Sequence, residues 1–326
     1  MNSKVKISVL MITFNHARFI RQALDSVLAQ KTDLSYEVVV GDDASTDGTG
    51  IILTEYAEKY PDRVRLLRRT ANLGMNANFA DTLAACQGAY VALLEGDDFW
   101  TDSHKLARQV EFLDAHPECV SCFHNVVVFS DDASVSVEGY HAHPDGRQFM
   151  CAPDLPARLS QTDFLKRNYI PTCSVMFRRA SAGKLPSWFN KLQLGDHPLH
   201  ILCTEHGTAA YLPEVMGAYR LHSSSVWSGK SKIHRMSRAL EMYAELDRHF
   251  QGRPQRAVLR EERMDMLQGY ARLLSREGQS TEASSTAATY INLALGHPLF
   301  CLKHLSSLRR MCVLFCSVKL GRPTKS

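Results

Sequence analysis

Three continuous apolar runs constrain this chain most: SVLMI (8–12), VVV (38–40) and YVALL (90–94). A strand with one wet face alternates apolar and polar residues, whereas an unbroken run fits a strand covered on both faces. Between the runs lie segments of helical period. In Ala17–Gln30, for example, Phe19, Ile20, Ala23, Leu24, Val27 and Leu28 share one face. Strand–helix alternation of this length predicts a mostly parallel sheet with helices on both faces. The expected order is strand 6–14, helix 17–30, strand 36–40, helix 49–60, strand 63–68, helix 76–86, strand 90–94 and helix 105–116. A strand over 120–130, loop excursions over 131–157, a short strand at 174–177 and a helix over 198–205 follow. After about residue 232 the pattern turns to helices alone, near 233–250, 256–278, 282–295 and 298–320. The expected organisation is therefore an α/β domain over 1–232, divided near 115, and a helical C-terminal region over 233–326.

The chain has 326 residues, more than one compact core usually needs. A net charge of +4 with no dense basic block gives no reason to expect nucleic-acid binding. Nine cysteines without framework spacing fit a reducing, cytoplasmic compartment. The pair in CVSC (119–122) reads as small buried residues, since no second pair completes zinc spacing. The opening MNSKVKISVLMITF reads as a first strand, not a leader, because its apolar run stops at Asn15 with no small-residue cleavage site. No stretch reaches the roughly 18 apolar residues of a membrane span.

In an open parallel sheet, ligands gather at the carboxyl ends of the strands. Polar residues cluster there: Asn15 after the first strand, Asp42 and Asp43 after the second, Asn72 and Gly74 after the third, and Glu95, Asp97 and Asp98 after the fourth. A carboxylate pair at a buried strand's mouth suits a hard divalent cation, Mg²⁺ or Mn²⁺, whose remaining oxygen ligands come from substrate phosphates. The plain alternative is a turn of solvated acids. GDDASTDGT (41–49) can be turn and helix-cap chemistry, or can offer Asp43 to a nucleobase edge. No glycine-rich phosphate loop of the dinucleotide or P-loop type is present, which disfavours a Rossmann oxidoreductase or a P-loop kinase. Asp196 in LGDHPLHI reads equally as an N-cap before a Pro-initiated helix or as a general base facing the pocket. Arg220 and His222, in YRLHSSSVW (219–227), offer charge partners for a diphosphate.

Taken in order, SVLMITFNHARFIRQALDSVLAQ (8–30), VVVGDDASTDGT (38–49), NLGMNANF (72–79), YVALLEGDDFW (90–100), GDHPLHI (195–201) and YRLHSSSVW (219–227) resemble the family 2 glycosyltransferases, whose catalytic domain has the GT-A fold. The resemblance implies a nucleoside-diphosphate sugar donor, Mn²⁺ or Mg²⁺, an inverting displacement, and a glycan or lipid-linked acceptor in cell-surface polysaccharide synthesis. It implies that Ile12, Phe14 and Asn15 border the base, with Asn72 nearby, and that Asp43 binds the base. Asp97 would hold ribose or metal, Asp98 would be the principal metal ligand, and Asp196 the catalytic base. Two departures stand out: Glu95 where the family commonly has Asp, and His197 where an aromatic often follows the base. The alternative is an inactive module of the same fold that binds nucleotide or glycan. Residues 301–326 carry six Lys or Arg and no acid. The stripe Leu305, Leu308, Met311/Cys312, Phe315, Val318 leaves two readings: peripheral contact of 298–320 with the cytoplasmic membrane face, or ordinary packing.

Overall fold

A computed structural model of the chain describes residues 5–143, 145–225, 229–296 and 305–319. The chain divides into two compact units, Met1–Gly229 and Lys230–Ser326. In the first, β1 (Ile7–Thr13), α1 (Ile20–Leu28), β2 (Tyr36–Asp42), α2 (Thr49–Lys59), β3 (Val64–Arg68), α3 (Met75–Ala85) and β4 (Tyr90–Leu93) alternate as the apolar pattern requires. Then come β5 (Phe99–Trp100), α4 (Lys105–Ala115), β6 (Cys119–Phe129), the two-residue strands β7 (His141–Ala142), β8 (Gln148–Phe149) and β9 (Arg158–Leu159), α5 (Gln161–Lys166) and β10 (Met176–Arg178). The unit closes with α6 (Arg179–Ala182), α7 (Asp196–Cys203) and β11 (Thr208–Arg220).

The sheet runs β3-β2-β1-β4-β10-β6-β11-β5. Its first four strands are parallel, with Val9 beside both Val38 and Ala92. Those three side chains are fully buried, so the unbroken apolar runs are the centre of the sheet. From β10 onward the sheet is mixed: β10 runs antiparallel to β4 and β6, while β11 runs parallel to β6. Register shifts occur in β11 between Leu212 and Gly217, just past Pro213, which has no N–H for the ladder. The expected excursion over 131–157 holds two small strands, β7 and β8, that extend β6 outward.

The second unit holds α8 (Lys232–His249), α9 (Gln255–Arg276), α10 (Ser280–Leu295) and α11 (Leu305–Lys319). Met264, Leu267, Ala271, Ala287, Tyr290, Ala294 and Met311 form its core, with Leu308, Leu314 and Phe315 packed against it. Most of the tail's apolar stripe is therefore inside. Leu305 departs from it at 60% exposed. Residues 298–304 and 320, with the Val318 side chain, lie outside what is described. No described helix is long and apolar enough to cross a membrane.

Candidate active site

The turn after β4 carries the acids. Gly96 donates its N–H to the Ile12 carbonyl (3.2 Å). A Cβ at Gly96 would fall 2.7 Å from Thr13 Oγ1, 2.9 Å from Ile20 Cδ1 and 3.0 Å from His16 Nδ1. Only glycine lets this turn nest between the end of β1 and the start of α1, and that approach brings Asp97 to the imidazoles. Asp97 Oδ2 lies 3.1 Å from His222 Nε2 and 3.7 Å from His16 Nε2. Burial opposes charge on Asp97, but the two imidazoles outweigh it and hold the carboxyl below its usual range. Asp98 is 3% exposed, and its Oδ1 accepts the Arg220 backbone N–H at 2.8 Å. Burial, with repulsion from Asp97, pushes Asp98 well above the ordinary carboxylate range. Glu95 is pushed the same way by burial and then by Asp98, Asp97 and Asp196. Three carboxylates, Glu95, Asp97 and Asp98, thus crowd the turn that follows β4.

Arg220 and His222 leave the end of β11 toward this turn. The Arg220 guanidinium donates to Asp131 (2.6 Å), Gln22 (2.6 Å) and the Asp97 carbonyl (3.0 Å). It lies 4.7 Å from the ring centres of both Phe19 and Phe129. Its nitrogens brace the acid turn against α1. His222, 3% exposed, sits between Asp97 and the Ser224 hydroxyl, 2.8 Å from its Nδ1.

A second group of expected residues assembles at the ends of β1 and β2. Asp43 is buried, and its carboxylate accepts the N–H groups of Leu73 (2.7 Å) and Gly74 (3.0 Å). Asn72 Nδ2 donates to the Asp43 carbonyl (3.2 Å). Asn15, in the left-handed region at φ 58°, accepts from Thr46 N–H (2.8 Å) and donates its own N–H to Ser45 Oγ (2.9 Å). Ala44 also has φ 61°, a conformation few residues with a Cβ adopt. The loop after β2 is therefore held in one shape around Asp43. Ile12 is half-buried at the end of β1, and Phe14 is 43% exposed beside it.

Asp196 opens α7. Gly195 occupies the N-cap position and no side chain caps the helix, so the capping alternative for Asp196 does not hold. Its carboxylate instead accepts Asn168 Nδ2 at 2.7 Å on Oδ2. The next residue, His197, lies 2.6 Å by its Nε2 from the Phe164 carbonyl, tying α7 to α5. Burial lowers the His197 pKa and takes His200 down to about 4, so both rings are neutral at pH 7. The sequence reading missed His16 and Asn168. His16 adjoins Asn15 in a segment already singled out, whereas Asn168 carries no local signal.

Among the described residues no three His, Cys, Asp or Glu side chains converge into a closed metal cage. The donor chemistry nevertheless fits a hard divalent cation bound by few protein ligands. The acids are oxygen donors, and Glu95 and Asp98 are raised by burial and crowded negative charge, which a cation would relieve.

Comparison with known proteins identifies the family and the fold. Residues 8–182 match the model of the family described as glycosyl transferase family 2. An uncharacterized protein of Mycobacterium tuberculosis is 37% identical over 292 residues, 86% of this chain and 79% of that protein. TuaG of Bacillus subtilis, which bears the name of a teichuronic acid biosynthesis glycosyltransferase, is 30% identical over 251 residues, 76% of this chain and 92% of its own. The mannosyltransferase PcManGT from Pyrobaculum calidifontis, solved with GDP-Man and Mn²⁺, superposes with a TM-score of 0.59. It is 18% identical and the match covers 98% of this chain and 88% of that one. Fold and matches together define a nucleotide-sugar glycosyltransferase of the GT-A class. The chain belongs to glycosyl transferase family 2.

Proposed function

We propose that the protein transfers a sugar, with inversion and with the help of a divalent cation, from a nucleoside-diphosphate donor to a hydroxyl of a glycan or lipid-linked acceptor. The observation that carries this reading is the acid turn at the end of β4, where Asp97 lies 3.1 Å from His222 and 3.7 Å from His16 and Asp98 Oδ1 accepts the Arg220 backbone N–H at 2.8 Å. Asp98 and Asp97 would hold Mn²⁺ or Mg²⁺, which when bound offsets charge on the departing diphosphate. Asp43 accepts donors from a nucleobase edge, with Ile12, Phe14, Asn15 and Asn72 at its border. Arg220 acts indirectly, by bracing the acid turn, while His222 and His16 hold Asp97 ionised. Asn168 fixes Asp196 Oδ2, and Oδ1 takes the acceptor's proton as the acceptor oxygen bonds to the sugar's anomeric carbon. The bond from that carbon to the diphosphate oxygen breaks on the opposite side. General-base assistance of this kind typically contributes 10²–10⁴-fold.

TuaG's name supports a role in cell-surface polysaccharide synthesis. The exposed face of α11, with Leu305, Arg309 and Val313, supports peripheral contact with an anionic membrane at the cytoplasmic face. The test of the reaction is nucleoside diphosphate release from a panel of UDP-, GDP- and dTDP-hexoses with and without Mn²⁺. Asp98→Asn is expected to lower release at least 100-fold while melting as a folded protein. Release that is unchanged by that substitution, or by chelation, would remove the metal role.

A further inference from the structure

Asn76 is the second residue of α3 and is 2% exposed. Its amide does not serve its own helix. Nδ2 donates to the carbonyls of Phe189 (3.2 Å), Leu192 (2.9 Å) and Leu194 (3.1 Å). Two N–H bonds thus bind three carbonyls of the chain that runs directly into Asp196. One turn along α3, Phe79 packs on the Phe189 ring at 6.0 Å and fixes the same segment from the apolar side.

The oxygen of Asn76 tells the same story. A Cβ on Gly195 would fall 2.3 Å from Asn76 Oδ1. Gly195 has φ −110° and ψ −40°, open to any residue, so glycine is needed there for space alone. Oδ1 is buried and, among the described residues, has no hydrogen-bond partner. Leaving a buried acceptor unpaired is unfavourable, because its hydration is lost and not replaced. The side chain bears that cost while binding the backbone before α7 on one edge and pressing on Gly195 with the other. On the far side of Gly74, the N–H groups of Leu73 and Gly74 are held by the Asp43 carboxylate. The start of α3 therefore grips both halves of the candidate site.

We propose that Asn76 is a positioning residue for the transfer step: it fixes the path of 189–195 and so the place from which the Asp196 carboxylate acts. The inference rests on Asp196 being the base. α7 lacks a side-chain cap, so its first residue takes its place from Asn168, from His197 on Phe164, and from the chain that Asn76 holds. A base misplaced by about 1 Å costs on the order of 10²-fold. Donor affinity depends on Asp43 and the β4 acids, which remain in place when 189–195 loosens.

The test uses the full chain, Mn²⁺, and the most active sugar nucleotide of the UDP-, GDP- and dTDP-hexose panel. Asn76→Ala is expected to lower kcat 10–100-fold with the donor KM within threefold. Amide exchange over 189–199 is expected to speed up at least tenfold, with β1 and β4 unchanged. A kcat within twofold of the parent, or a loss confined to KM, overturns the proposal. Asp196→Asn is assayed in parallel. If it keeps turnover, the base reading falls and this proposal falls with it. If it is inactive while Asn76→Ala is normal, this proposal falls alone. Should Asn76→Ala fail to melt cooperatively, Gly195→Ala drives a Cβ onto Oδ1 and is expected to show the same kcat-selective loss. A normal kcat there contradicts the positioning role.

Discussion

At the scale of residues, the site works by unequal treatment of similar groups. Asp97 and Asp98 are neighbours, yet the imidazoles of His16 and His222 hold one ionised while burial pushes the other toward its protonated form. Asp196 is distinguished by an amide partner, Asn168, on its Oδ2. Asp196→Asn should abolish turnover, since the amide cannot take a proton, yet leave nucleoside diphosphate binding within threefold by calorimetry. Near-normal turnover would reduce Asp196 to a structural contact. A second residue, Lys105, is wholly buried, its Nζ without a hydrogen-bond partner among the described residues and 3.8 Å from the Trp100 ring centre. Burial lowers its pKa from 10.5 to about 7. The unfolded chain then binds more protons than the folded one between pH 7 and 10.5. The resulting penalty, of order 3–5 kcal/mol, is full below pH 7 and fades as pH rises through that window. Lys105→Met should therefore raise the melting temperature most at pH 7, with the gap to the parent closing toward pH 10. A gap that is constant over that range would mean that Lys105 is not carrying the cost. The acids and His222 were legible in sequence because strand ends are where ligands gather. Asn168, Asn76 and the inward commitment of Arg220 were not, because their partners lie far away in the chain and only folding brings them together.

At the scale of elements, periodicity reports burial, and burial is what it predicted well. α1 buries Ile20, Ala23, Leu24 and Val27, as its spacing requires. The parallel strands β1, β2 and β4 follow from runs with no polar alternation. The short strands β7, β8 and β9 were illegible, since two residues carry no period and form only against a neighbour's edge. The start of α7 was misjudged for a physical reason. Pro198 marked the first turn, but Asp196 and His197 already lie in the helix, where proline's missing N–H costs nothing. α11 resolves its two readings in part. Leu308, Met311 and Phe315 face the helical core, while Leu305, Arg309, Arg310 and Val313 stay outside. The outer face predicts weak, salt-sensitive binding to vesicles rich in anionic lipid. Flotation at low salt should carry the full chain and should fail for Leu305→Glu/Val313→Glu. If parent and variant float equally, that face is not the contact.

At the scale of the whole molecule, the first unit places the four parallel strands of its sheet beneath loops drawn from distant parts of the sequence. Segments 12–16, 42–49, 72–74, 95–98 and 220–224 meet at one rim because four parallel strands end there and β11 returns to it. On the proposed mechanism the β4 acids need a cation to receive a diphosphate. Calorimetric titration of UDP, GDP, dTDP and CDP into the full chain, with and without Mn²⁺, tests it most directly. At least one nucleotide should bind tenfold or more tightly with Mn²⁺ than with chelator present, and Asp98→Asn should erase that difference. Equal affinity with and without the metal, or a metal effect that survives Asp98→Asn, would rule out a cation held by these acids.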